Sequence, residues 1–113
     1  MKIAIVGSRE LQIDDLSEFV PDNVTEIISG GAAGIDSCAE EFAKKKGIKM
    51  NVYLPDYKRY KRGAPLVRSR AMIEAADEVI AFWDGKSRGT KYSIDFCRRS
   101  GKKITVYIME IQP

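Results

Sequence analysis

The chain of 113 residues has no histidine, two cysteines and four prolines, and none of its apolar runs approaches the roughly 20 residues that span a bilayer. Each scarcity removes a class of protein. Without imidazole there is no Ser-His-Asp or Cys-His nucleophile pair of the usual kind and no histidine-based zinc or iron site, so no metal is expected. Cys38 and Cys97 both fall in helix-like segments and read as small buried residues in a reducing compartment rather than as a disulfide. The opening Met1-Lys2-Ile3-Ala4-Ile5-Val6 reaches Gly7 too soon for a secretory leader, which points to a cytoplasmic protein with no membrane partner.

What is present is an ordinary globular composition, 44% hydrophobic and 31% charged, in one domain spanning residues 1–113. The net charge of +3 is more informative when divided. Residues 55–63 hold four basic side chains and one acidic, leaving 15 of each sign elsewhere. The surplus therefore equals that of one loop, unlike the broad basic surface of a general nucleic-acid binder.

Five short apolar runs, at residues 2–6, 24–29, 48–54, 78–82 and 103–108, read as strands. The first and fourth are nearly continuous rather than alternating, as expected of parallel strands covered on both faces. Helical patterns lie between them. Residues 35–46 place Ile35, Ala39, Phe42 and Ala43 on one face and stop at Gly47. Pro65 suits the first turn of a helix continuing to about Ala76, and another follows Thr90 and ends at Gly101. Ile13, Leu16, Phe19 and Val20 predict a shorter helix within residues 11–20. The alternation predicts a single Rossmann-like α/β domain of three layers, with a five-stranded parallel sheet in the order 3-2-1-4-5. Ligands of such sheets bind beyond the carboxyl ends of the strands, where the strand order reverses.

Seven of the nine glycines, Gly7, Gly30, Gly31, Gly34, Gly63, Gly85 and Gly89, lie in segments that follow a strand and precede a helix. That partition marks one functional edge of the sheet. The sharpest motif is Ser29-Gly30-Gly31-Ala32-Ala33-Gly34-Ile35-Asp36, whose amides at a helix start suit a phosphate. Asp36 either caps this helix or holds a ribose hydroxyl, and a purely structural tight turn is the plainer alternative. Gly7-Ser8-Arg9 leaves the first strand, and Asp84-Gly85-Lys86-Ser87-Arg88-Gly89-Thr90 leaves the fourth. Both combine glycine, hydroxyl and arginine, the groups that contact phosphate. Taken singly, Arg9 and Arg88 read equally well as solvated surface charges; with Arg68 and Arg70 they form a convergent basic cluster. Gly85-Lys86-Ser87 is not a P-loop, since Ile80 stands where glycine is required. No G-x-G-x-x-G follows the first strand, so ordinary NAD use is unsupported.

These motifs resemble the SLOG superfamily of Rossmann-like proteins, named after the DNA-processing protein DprA and the LOG enzymes. The Ser29-to-Asp36 turn is similar to the DprA turn that ends in Gly-Ile-Asp, and Arg68-Ser69-Arg70 to its Arg-Asn-Arg segment. The Gly-Ser-Arg opening, Ser-Gly-Gly-Ala turn, Pro55-Asp56-Tyr57 loop and Asp-Gly-x-Ser-x-Gly-Thr loop together look like the small stand-alone proteins related to YspA and YpsA. The resemblance covers nearly the whole chain. It implies binding of a nucleotide-derived ligand, such as a nucleotide or an ADP-ribose- or NAD-derived molecule, and a homodimer. It implies no defined reaction.

LOG enzymes cleave the base from nucleoside 5′-monophosphates, and Arg68 falls on their catalytic arginine. The two glutamates that follow Gly-Thr in those enzymes are missing after Gly89-Thr90, where Tyr92-Ser93 stands instead. Asp36, Asp84 and Asp95 are the candidate replacements, with Asp84 best placed at the end of the fourth strand. Three readings stay open: a binding domain for a phosphate-bearing nucleotide-type ligand, which is favoured; a nucleotide N-glycosidase with Arg68 and Asp84 as candidate catalytic residues; and DprA-like binding of single-stranded DNA. The last rests on the tyrosine-interleaved basic residues 57–62, which read equally as a lid or as a solvated loop with Tyr57 and Tyr60 packed on the body. Trp83 reads as a stacking wall for a base or as a contact with another subunit.

Overall fold

In a computed structural model, residues 1–110 are described. Five parallel strands, β1 (Lys2–Gly7), β2 (Glu26–Ser29), β3 (Lys49–Val52), β4 (Glu78–Trp83) and β5 (Ile104–Ile108), form one sheet in the order β3-β2-β1-β4-β5. The helices are α1 (Ile35–Lys46), α2 (Tyr57–Tyr60), α3 (Ala64–Ala75) and α4 (Arg88–Ser100), with a 3₁₀ turn at Lys61–Gly63 between α2 and α3. The expected topology and its reversal between β1 and β4 are both present. Among the described residues, no helix is long and apolar enough to cross a membrane.

The core forms two clusters, one on each face of the sheet, because successive side chains of a strand point to opposite faces. Along β1, Ile3 and Ile5 pack with Ile35, Ala39 and Phe42 of α1, while Ala4 and Val6 pack with Met72 and Ile73 of α3 and Ile94 and Cys97 of α4. This double coverage explains the unbroken apolar run in β1. Cys97 is fully buried, and burial pushes its thiol pKa up to about 11; Cys38 is half-buried, and both thiols are free. On the α1 face, Phe82 stacks on Tyr107 with ring centroids 5.4 Å apart, and Phe19 meets Phe82 edge-on at 5.2 Å.

The helix expected in residues 11–20 is not formed. Leu11, Leu16 and Val20 are buried as the apolar pattern requires, but the backbone runs through turns. The Asp15 carboxylate accepts from both the backbone N–H and the hydroxyl of Ser17, at 2.9 and 2.6 Å. Such local side-chain bonds compete with the helical ladder, and the segment keeps only a single turn closing on the Leu16 carbonyl. Several boundaries move by one residue, and three move further: β2 begins at Glu26, β3 is limited to four residues, and α4 begins at Arg88, before Thr90. The basic stretch after β3 holds the short helix α2, capped by Asp56 accepting from the Arg59 N–H at 3.2 Å.

Candidate functional site

A cleft of about 670 Å³ opens at the carboxyl edge of the sheet, bordered by the β1, β2 and β4 loops and by α3. Its size is in the range of small-molecule sites. Of the residues expected to bind ligand, it brings together Gly7, Ser8, Arg9, Gly30, Ala32, Asp36, Arg68, Asp84, Ser87, Gly89 and Thr90. Ser29, Gly31, Gly34, Arg70, Gly85 and Arg88 do not border it.

Helix phase explains the two missing arginines. Successive residues of a helix turn by about 100°, so only one arc of it faces a given side. Arg68 faces the cleft together with Pro65, Leu66, Ser69 and Met72, which share one arc of α3, whereas Arg70 lies outside that arc, over the Phe96 ring, 5.2 Å from its centroid. Likewise, Gly89, Thr90 and Ser93 of α4 border the cleft, and Arg88 is exposed elsewhere. The four-arginine cluster is therefore corrected to Arg9, Arg68 and the unforeseen Lys86. Against these three cations stand three carboxylates: Glu10, Asp36 and Asp84. Pro65, Met72 and Ser93 were discoverable from Arg68 and Thr90 by i±3 and i+4 helical spacing; Val6, Glu10, Leu66, Ser69 and Lys86 carried no such signal.

The two carboxylates held by backbone differ. On the β4 side, Asp84 accepts from the Lys86 and Ser87 N–H groups, both at 2.8 Å, and these bonds hold its pKa below the ordinary carboxylate value. Its own N–H donates to the buried Ser8 hydroxyl at 3.2 Å, which ties the β1 and β4 loops together. Trp83 closes the same loop by donating from its indole to the Ser87 carbonyl at 3.0 Å, and it does not border the cleft. Ser87 then caps α4, with Thr90 Oγ1 3.2 Å from its hydroxyl. The first-turn amides of Arg88 and Gly89 have no acceptor within the helix, as at any helix start.

On the α1 side, Asp36 does not cap the helix. Its Oδ2 turns back to accept the Ala32 N–H at 3.0 Å, while the capping position is Gly34, which supplies no side-chain bond. Asp36 is only 8% exposed, and burial raises its pKa despite that bond and the nearby Arg68 and Arg9 charges; Glu40 adds to the rise. The Arg68 guanidinium donates to the Gly30 and Tyr53 carbonyls, joining the ends of β2 and β3 to α3. Both groups converge on Gly30. A Cβ there would stand 2.6 Å from Arg68 Nη1 and 3.0 Å from Asp36 Oδ2, so the missing side chain makes room for the pair.

Other glycines serve packing. A Cβ on Gly7 would meet Ile35 at 2.5 Å, and Gly34 has a positive φ with the Arg9 backbone against it. Ser29 is fully buried beneath the turn and reaches only the Asp36 carbonyl, at 3.5 Å. Asp95 pairs with Lys91 at 2.9 Å one turn away on the surface and does not border the cleft, so it is withdrawn as a catalytic candidate. None of residues 57–62 borders the cleft either. Tyr57 and Tyr60 are exposed rather than packed on the body.

Comparison with protein-family models, with curated proteins and with solved structures gives no match for this chain. The chemistry of the cleft therefore rests on its own residues. They offer hydroxyls at Ser87 and Thr90, helix-start amides, three cations, and three carboxylates, of which Asp36 is the buried one.

Proposed function

We propose that the cleft binds a phosphate-bearing nucleotide or nucleotide-derived small molecule. The observation that carries this reading is the convergence, at the reversal of strand order, of Arg9, Lys86 and the free first-turn amides of α4 beside the Ser87 and Thr90 hydroxyls. Phosphate belongs on this α4 side. The glycine turn before α1, the first choice from sequence, is less suited to an anion, because Asp36 consumes the Ala32 N–H and adds a negative charge there. The resemblance to the SLOG group supports the same ligand class.

The test is a thermal-shift and calorimetric panel of nucleoside mono-, di- and triphosphates, ADP-ribose, NAD and inorganic phosphate. A ligand at a hundred times its Kd is expected to stabilise the fold by about 2.7 kcal/mol. Absence of any stabilisation or heat across the panel would sink the proposal.

A second reading, hydrolysis of a nucleotide N-glycosidic bond, is favoured by one arrangement: Arg68 and Asp36 flank Gly30 within the cleft, and Asp36 keeps its proton to higher pH than an ordinary aspartate. In this reading Asp36, rather than Asp84, stands in for the missing glutamates. Release of ribose 5-phosphate and free base from bound monophosphates is the measurement, and binding without turnover removes it.

A further inference from the structure

We infer that Asp36 is the residue by which the cleft recognises the ribose hydroxyls of its ligand, so that it selects ribonucleotides over 2′-deoxyribonucleotides. This inference rests on the proposed phosphate-ligand reading and adds the sugar to it. Three observations support it.

First, the Asp36 side chain is nine-tenths buried yet accepts a single hydrogen bond, from Ala32 to Oδ2. A carboxylate offers about four lone-pair directions on its two oxygens. Among the described residues, no buried side-chain oxygen or nitrogen lacks a partner. Oδ1, which accepts no bond, therefore keeps access to solvent, and the cleft that Asp36 borders is the open space beside it.

Second, the placement is costly without a ligand. Asp84, in the same cleft, receives two amide bonds and is stabilised as an anion; Asp36 receives one, and burial pushes its pKa upward. Every charged group that acts on Asp36 lies close at hand: Arg68 on α3, Arg9 beyond β1 and Glu40 on α1. Neither arginine forms an ion pair with it; among the described residues the ion pairs are Lys49–Glu26, Lys91–Asp95 and Lys103–Glu78. The carboxylate is thus left with acceptor capacity that protein donors do not fill.

Third, the neighbouring charges select the kind of donor. A cationic amine would meet Arg68 and Arg9 beside Asp36, whereas neutral O–H groups meet no such repulsion. A vicinal diol brings two O–H donors within reach of one carboxylate, on the same molecule whose phosphate is held at α4. A base amino group is the other neutral donor, and the probes separate the two.

The experiment is calorimetric titration of the intact protein with each nucleoside 5′-monophosphate in ribo and 2′-deoxy form, with ribose 5-phosphate and with inorganic phosphate. Wild-type protein is expected to bind the ribo form of its preferred monophosphate at least about tenfold more tightly, the scale of one charge-assisted hydrogen bond. Ribose 5-phosphate, which has no base, is expected to bind more tightly than inorganic phosphate. In Asp36→Asn, whose amide oxygen still accepts from Ala32, the ribo-to-deoxy ratio is expected to fall toward one while inorganic phosphate binds as well as before or better.

Equal affinity for the two sugars in wild-type protein, with phosphate binding intact, overturns the inference and leaves the phosphate reading standing. That arm needs no variant. Sugar discrimination that persists in Asp36→Asn, or that requires the base, also overturns it. Failure of every phosphate compound to bind overturns the underlying reading, and this inference with it.

Discussion

Asp84 lies in the loop beyond β4 and Asp36 in the first turn of α1, and both border one cleft; the first is half-exposed and the second nearly buried. Backbone amides from two successive residues donate to Oδ1 of Asp84, so it organises its own loop and is favoured as an anion. Asp36 is buried with one amide and an arginine beyond ion-pair range. The difference separates an aspartate that holds its own loop from one that is buried with an oxygen no protein donor reaches. Two amides on one oxygen let Asp84 serve the fold; on the reading proposed above, the open oxygen of the buried Asp36 serves a ligand at some expense to the unliganded protein.

The largest expected effect falls on the phosphate side. Arg9→Ala combined with Lys86→Ala removes two cations from the cleft and is expected to weaken the best phosphate ligand about 100-fold, read by calorimetry. Arg70→Ala is the control, because that side chain lies over Phe96, and it is expected to leave affinity within about twofold.

Gly30→Ala attacks the point where Arg68 and Asp36 meet. The added Cβ displaces the guanidinium from the Gly30 carbonyl and is expected to destabilise the fold by about 1–3 kcal/mol, measured by urea unfolding. Loss of affinity in excess of that from Arg68→Ala would show that the glycine positions both groups.

Asp84→Ala is expected to cost about 1–2 kcal/mol by releasing the Lys86 and Ser87 amides. Because its folded pKa is lowered, Asp84 contributes stability above the ordinary value of 3.8, and that contribution is lost as pH falls through the lowered pKa. The gap between wild type and variant should therefore close in acid.

Asp36→Asn gives the smallest effect and the opposite sign. Its folded pKa is raised above 3.8, so the ionised carboxylate destabilises the unliganded fold at neutral pH, and the penalty fades as pH falls through the raised pKa toward 3.8. Unliganded Asp36→Asn is expected to melt slightly higher than wild type at pH 7 and equally below about pH 3.8, in thermal unfolding followed by circular dichroism. A variant less stable than wild type at pH 7 would remove the contrast between the two aspartates.

Much of this cleft was legible in advance. The turn at Gly30, the Ser8-Arg9 pair and the Ser87-to-Thr90 loop stood out because glycines and hydroxyls cluster after strands, and Rossmann-like topology brings those loops to one edge. Arg70 and Arg88 were misjudged because each lies outside the arc of its helix that borders the cleft. Residues 11–20 failed differently. Their apolar spacing reported burial correctly, while Asp15 and Ser17 set a local turn that periodicity does not register.

By itself, then, the amino-acid order determined the alternation of strands and helices, the parallel sheet and the edge that carries the site, because these follow from local periodicity and from the limited ways such units pack. Only the tertiary structure decided that Asp36 is buried with one amide bond while Asp84 is half-exposed with two amides on its Oδ1. Hydrogen-bond satisfaction and desolvation depend on which distant segments meet around a group, here Gly30, Ala32 and Arg68 around one carboxylate and Ser8, Lys86 and Ser87 around the other.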